Sequence, residues 1–113
     1  MVTIDTVRRL ALSFAEAEEQ AHFDEPSFRI RNKIFATLWV NEQRAMLKLP
    51  LVEQSVFCAY GDDVFVPVPG TWGRQGATFV DLKKVRADMM KDALTVAYCG
   101  IAPKKLAAQY LPE

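Results

Sequence analysis

The sequence has little of what catalytic and metal sites require. Its 113 residues include one histidine, His22, and two cysteines, Cys58 and Cys99, which stand far apart and outside any Cys-x-x-Cys spacing. Because a zinc site needs several such ligands at defined spacing, we expect no metal and no cofactor. Both cysteines fall in apolar helical patterns, which predicts reduced thiols in the core.

Signatures of catalysis are missing as well. The sequence contains no Gly-x-Ser-x-Gly elbow, no phosphate-binding loop and no glycosidase-like carboxylate motif. His22 lies near Glu19, Asp24 and Glu25, so it is either a weak general base or cation site, or simply an exposed histidine flanked by acids. We therefore expect a protein that is not an enzyme.

Net charge and long apolar runs are also absent. Lys and Arg number 14 and Asp and Glu number 14, so the formal net charge is zero. A global attraction to nucleic acid is excluded, and any nucleic-acid surface must be local. With no signal-like start and no run of about 18 apolar residues, a soluble, cytoplasmic protein is expected. The length and the 50% hydrophobic content fit one domain, 1–113, with a sizeable core.

Hydrophobic periodicity in the first half predicts a helix and three strands. Thr3 can cap a helix with one apolar face, and an acidic connector, 16–25, follows it. Alternation then predicts strands at 28–31, 34–40 and 45–49. The strand residues expected to face the core are Phe28, Ile30, Ile34, Ala36, Leu38, Val40, Ala45, Leu47 and Leu49.

The second half predicts a short helix, two strands, the longest helix and a last short helix. In chain order these elements cover 51–60, 64–68, 77–82, 83–98 and 103–111. Because the strand 64–68 contains a proline, it is expected at a sheet edge. The inward residues of the short helix are expected to be Val52, Val56 and Ala59. The order α-β-β-β-α-β-β-α(-α) describes an α+β domain whose antiparallel sheet carries its helices on one face.

The other face of this sheet is predicted to combine rings and cations. Its residues are Arg29, Arg31, Phe35, Thr37, Trp39, Met46 and Lys48. Such faces bind single-stranded nucleic acid by stacking bases, at about 1–3 kcal/mol per base, while cations neutralise phosphates. Alternatively the face is covered, with Phe35, Trp39 and Met46 forming a contact patch for a second copy or a protein partner.

A glycine-rich loop carries a second candidate surface. Trp72, Arg74 and Gln75 lie in this loop, between two predicted strands. A hairpin with a basic or aromatic tip can act as a wing on DNA, with Arg74 on a phosphate and Gln75 at a base edge. Otherwise Trp72 clamps the loop to the body, or Trp72 and Arg74 line a small-ligand pocket together with His22.

Two further sets of cations favour an anionic partner. The turn after the first strand offers Arg31 and Lys33 as a second wing with phosphate contacts. Lys83 and Lys84 are expected around the start of the longest helix, together with Arg86. Because cations there oppose the positive end of the helix dipole, helix stability does not explain them.

Three segments, 28–38, 70–82 and 102–107, resemble the MmcQ/YjbR family of small bacterial proteins. The resemblance covers nearly the whole chain and implies a fold similar to type III secretion chaperones and CyaY-like proteins. Members are commonly described as DNA-binding through a double wing, which implies contacts at Arg31 and Lys33 and at Trp72, Arg74 and Gln75. The similarity to secretion chaperones implies, as the alternative, a protein-interaction or dimeric module.

Overall fold

The computed structural model describes residues 1–111 and contains one sheet with helices packed against it. In chain order the elements are α1 (Ile4–Leu12), β1 (Glu18–His22), β2 (Glu25–Ile30), β3 (Lys33–Trp39), β4 (Arg44–Lys48), α2 (Leu51–Cys58), β5 (Phe65–Pro67), α3 (Thr71–Arg74), β6 (Ala77–Asp81), α4 (Ala87–Ile101) and α5 (Lys104–Ala107). The six strands pair antiparallel in the order β1-β2-β3-β4-β6-β5. The predicted α+β class is confirmed.

The core lies between one face of the sheet and helices α1 and α4. The hydroxyl of Thr3 caps α1 by accepting from the backbone N–H of Thr6 at 3.1 Å, as the sequence predicts. Helix α4 packs across β3 and β4, and α1 packs beside it. The sheet residues buried as predicted are Phe28, Ile30, Ala36, Leu38, Ala45, Leu47 and Leu49. The buried residues of α4 are Met90, Ala93, Leu94, Ala97 and Tyr98.

Part of the expected acidic connector is strand β1, which pairs only with β2. Most of its residues are exposed, and it lies at one edge of the sheet. An edge strand with little burial has no apolar alternation, so the usual strand signal is missing. The opposite edge is β5, where Pro67 lies, as predicted.

A β-bulge in β3 reverses the predicted orientation of two neighbouring residues. Phe28 pairs with Ala36, but Arg29 pairs with Ile34, so Phe35 is the extra residue. Phe35 is fully buried against Phe14 and Tyr98, whereas Ile34 is half-buried and lies opposite Arg29 on the other face of the sheet. The expectations that Phe35 faces outward and Ile34 inward are therefore wrong, because one inserted residue shifts the two-residue alternation.

The inward side of α2 also differs from the prediction. Val52 and Val56 are exposed, as is Ala59, while Gln54 and Phe57 are buried. The buried position of Gln54 is stabilised by hydrogen bonds to the segment around α3, so a polar residue occupies the place that apolar periodicity assigns to a valine. The apolar pattern alone therefore predicts the wrong buried face for α2.

Candidate functional site

The sheet face opposite α1 and α4 forms the floor of a broad cavity of about 840 Å³. We call it the outer cavity, and residues that line it include Arg29, Lys33, Thr37, Trp39, Met46 and Trp72. In the sheet register Thr37 lies opposite Met46, and Trp39 lies opposite Arg44, on adjacent strands. Because alternate residues share a face, these side chains form neighbouring rows on the floor.

Exposed aromatic rings contribute to the outer cavity from two separate segments. Phe23 lies in the turn between β1 and β2, where its φ is 52°, and it is 87% exposed. Trp72 belongs to α3 and is 66% exposed. Rings left this accessible offer apolar surface for a planar partner.

The glycine-rich loop forms the short helix α3 where a hairpin tip was expected. A Cβ on Gly73 would stand 1.7 Å from the carbonyl oxygen of Val68, so only glycine allows this approach. The buried side-chain amide of Gln54 donates to the Gly73 carbonyl at 2.9 Å. These contacts hold the segment to the body, and the predicted clamp by Trp72 does not form because that ring is exposed.

Three cations line the outer cavity without a carboxylate partner among the described residues: Arg29, Lys33 and Lys48. The Nε of Arg29 donates to the hydroxyl of Ser27 at 3.3 Å. Two carboxylates, from Glu25 and Glu42, also line the cavity. Positive charge is therefore in slight local excess, although the whole chain is neutral.

Arg31 does not join these cations. It lies in the β2–β3 turn with a φ of 50°, so it leaves the strand alternation that placed it on the outer face. Its Nε and Nη2 donate to the Glu16 carboxylate at 3.1 and 3.3 Å. These hydrogen bonds, and the charge of Glu16, raise the pKa of Arg31. Arg31 and Lys33 are close in sequence but serve different surfaces.

The remaining predicted cations also lie outside the outer cavity. Arg74 donates from Nη2 to the hydroxyl of Thr71 at 3.1 Å. Lys83 and Lys84 precede α4, which begins at Ala87, so the expectation that they open this helix is wrong. The ammonium of Lys84 donates to the carbonyl of Asp62 at 2.9 Å. Gln75, by contrast, lines the cavity beside α3.

Sequence reasoning missed Arg44, which lies between the strands predicted at 34–40 and 45–49. Its guanidinium carbon lies 4.4 Å from the ring centroid of Trp39 and 3.8 Å from that of Phe79. The two rings meet edge to face, with centroids 5.0 Å apart. Cation–π contact on both rings holds the guanidinium beside the cavity floor. The sequence does contain a signal for this position, because a four-residue turn after Trp39 brings Arg44 opposite Trp39 on the next strand.

Other candidate chemistry is not assembled in the described part of the chain. Within residues 1–111, no three His, Cys, Asp or Glu side chains are grouped to hold a metal ion. Cys58 and Cys99 are free and half-buried, and burial raises the pKa of both thiols. Over the same span, no helix has the length and apolar character to cross a membrane.

Comparison with known proteins gives a family and a fold. The YjbR family model matches residues 12–99. No curated protein matches the sequence. The crystal structure of a Deinococcus radiodurans protein with a DUF419 domain superposes with a TM-score of 0.79 at 17% identity, covering 99% of this chain and 91% of that chain. At this identity the likeness shows the fold alone.

Proposed function

Because the chain belongs to the YjbR family and its outer cavity is lined by rings and by cations that have no carboxylate partner within residues 1–111, we propose that it is a non-enzymatic DNA-binding protein that takes single-stranded DNA into this cavity. One observation carries the proposal. Arg29, Lys33 and Lys48, which have no carboxylate partner among the described residues, line the same cavity as Trp39 and Trp72. Stacking surfaces and phosphate partners are the two elements that single-strand binding requires.

The charge distribution supports a local interface. Arg8, Arg31 and Arg86 each form an ion pair with a carboxylate outside the outer cavity. A cation already paired in this way has less to gain from a phosphate than an unpaired one. The cations of the cavity form no such ion pair with the described residues, so a phosphate backbone can contact them without displacing a carboxylate.

Shape favours a single strand over a duplex. Trp39 is half-buried on the cavity floor. The bases of a duplex are stacked on one another, so only an unstacked base could place its flat face against a ring at this position. The wing arrangement implied by the family resemblance would need Arg31 and Arg74 to act with the other tip residues. Neither of these arginines lines the outer cavity. The proposal therefore depends on the residues that line the cavity and not on the hairpin tips.

The test is binding of a labelled single-stranded oligonucleotide by fluorescence anisotropy over a range of salt concentrations. In the double variant Lys33→Ala/Lys48→Ala we expect weaker binding and a salt slope reduced by about 1.4, since each single-strand phosphate contact contributes about 0.7. The matched control Arg31→Ala/Arg74→Ala removes the same charge outside the cavity and should leave the slope unchanged. Equal effects of both double variants, or no salt-dependent binding by the wild type, would refute the proposal.

The same face offers a protein-interaction module as the alternative. The burial of Phe35 leaves Trp39 and Met46 from the predicted three-residue patch on the accessible face. Sedimentation of the wild type and Trp39→Glu at several concentrations separates the two functions. A dimer that dissociates in Trp39→Glu, together with no retention of DNA, would favour the protein-interaction module.

A further inference from the structure

One polar group on the floor of the outer cavity has no partner. Thr37 is 3% exposed, and its hydroxyl makes no hydrogen bond to the described residues. Its cross-strand neighbour Ser27 is equally buried, yet the Ser27 hydroxyl donates to the carbonyl of Gln20 at 2.7 Å. Because buried hydroxyls nearly always have a partner, the unpaired one at Thr37 calls for an explanation.

A second unpaired group lies on the adjacent strand. The Nε–H of Arg44 is buried and likewise has no acceptor in residues 1–111. Trp39, two residues after Thr37 on the same face, lies opposite Arg44, so Thr37 and Arg44 are diagonal neighbours. Such neighbours are typically about 7–8 Å apart, within the span of one small planar molecule. Of these two groups, the Thr37 hydroxyl belongs to a residue that lines the outer cavity, whereas the Arg44 guanidinium lies beside the cavity against the rings of Trp39 and Phe79.

We propose that one unstacked base of the bound strand enters the outer cavity and satisfies the hydroxyl of Thr37. The inference rests on the proposed function, since the base arrives as part of single-stranded DNA. A base has flat faces that stack on an aromatic ring and an edge with hydrogen-bond acceptors and donors. Trp72, which is 66% exposed, supplies the stacking surface, and the hydroxyl of Thr37 meets the edge.

The surroundings of the floor agree with this occupant. Arg29, Lys33 and Lys48 line the same cavity and can hold the phosphates on either side of the inserted base. Met46, directly opposite Thr37, has a flexible side chain that can rotate to open the hydroxyl. The volume of about 840 Å³ lies in the range of sites that enclose small planar ligands.

The test uses a strand of about a dozen stable abasic nucleotides, a length within the usual site size of single-strand binders, with or without one thymine at its centre. The base-free strand measures the phosphate contacts alone. For the wild type, we expect the single base to raise affinity at least about fivefold. Thr37→Val keeps the shape of the side chain but lacks the hydroxyl, so it should lose most of this gain, whereas Thr37→Ser should keep it.

The melting temperature of each variant without DNA separates a binding role from a structural one. Thr37→Val should melt at the same or a higher temperature than the wild type, because it removes an unpaired buried hydroxyl. A lower melting temperature would mean that the hydroxyl has a structural partner, and would overturn the proposal. An equal loss of affinity of Thr37→Val for the strands with and without the base would also overturn the proposal.

Failure of this inference is distinguishable from failure of the proposed function. If an ordinary strand of the same length binds the wild type but the single thymine adds nothing, the inserted base is refuted and single-strand binding stands. If the ordinary strand does not bind, both are refuted. Repeating the measurement with cytosine, adenine or guanine at the centre shows which base edge fits Thr37.

Discussion

The rings of Phe35 and Tyr98 meet edge to face, with centroids 5.6 Å apart and planes at 86°. Phe14 stacks on Tyr98 at 4.7 Å and meets Phe35 edge to face at 6.1 Å. The cluster joins the bulge of β3 to α4 and to the segment after α1. Because the bulge determines which residues of β3 face outward, this cluster also supports the positions of Thr37 and Trp39 in the outer cavity.

The bulge predicts unequal effects for two neighbouring truncations. Phe35→Ala should lower the free energy of unfolding by about 3–5 kcal/mol, since it removes a fully buried ring from this cluster. Ile34→Ala is the matched control and should have a much smaller effect, because Ile34 is half-buried on the other face. Urea unfolding measures both. A larger loss for Ile34→Ala would contradict the described register.

Tyr98 predicts a loss of stability in alkaline solution. Burial, followed by the nearby Tyr110, raises its pKa in the folded protein above the ordinary value of about 10. The unfolded chain therefore releases this proton first, so the stabilisation is complete below about pH 10 and is lost as the pH rises through the folded value. The Tyr98 hydroxyl also donates to the carbonyl of Ala15 at 2.8 Å, a bond that the phenolate cannot donate.

Urea unfolding of the wild type and of Tyr98→Phe from about pH 8 to about pH 11 isolates this contribution. At pH 8 the variant should be less stable by about 1 kcal/mol, the typical value of one hydrogen bond. The difference between the two proteins should shrink as the pH increases, since only the wild type loses the contribution of Tyr98. Parallel stability curves would contradict the expected titration.

The close approach at α3 predicts a severe effect for a single methyl group. In Gly73→Ala the added Cβ would stand 1.7 Å from the Val68 carbonyl oxygen, so the backbone must move. We expect a loss of at least about 3 kcal/mol in the free energy of unfolding. Gly61→Ala is the control, because its Cβ meets nothing within 4 Å and its positive φ alone should cost about 1–2 kcal/mol. Equal losses of unfolding free energy in the two variants would show that the contact with Val68 does not restrict position 73 to glycine.

Local chemistry made much of the fold predictable. Thr3 is a good helix cap, and alternation around Phe28 and Leu38 identified both strands and their buried face. Such signals fail where a tertiary contact overrides the pattern. The bulge at Phe35 inserts one residue into the alternation, and the hydrogen bonds of Gln54 favour a different face of α2.

The candidate site was predictable only in part, for the same reason. Strand alternation correctly placed Trp39 and Lys48 on the outer face, where both line the cavity. The turn at Arg31 and the contacts of Arg44 depend on groups distant in sequence or on an adjacent strand. Neither could be inferred from spacing along one strand.

Composition and periodicity alone established an α+β chain without net charge, with a first helix and a sheet whose buried face could be identified for most strand residues. Three-dimensional packing then determined which cations are free and which polar groups lack partners. Within residues 1–111, Arg31 pairs with Glu16 whereas Lys33 has no carboxylate partner, and the Thr37 hydroxyl is unpaired while that of its neighbour Ser27 has a hydrogen-bond partner. The reason is physical: periodicity follows from the geometry of one segment, but the partner of a charge or a hydroxyl depends on which other segments fold against it.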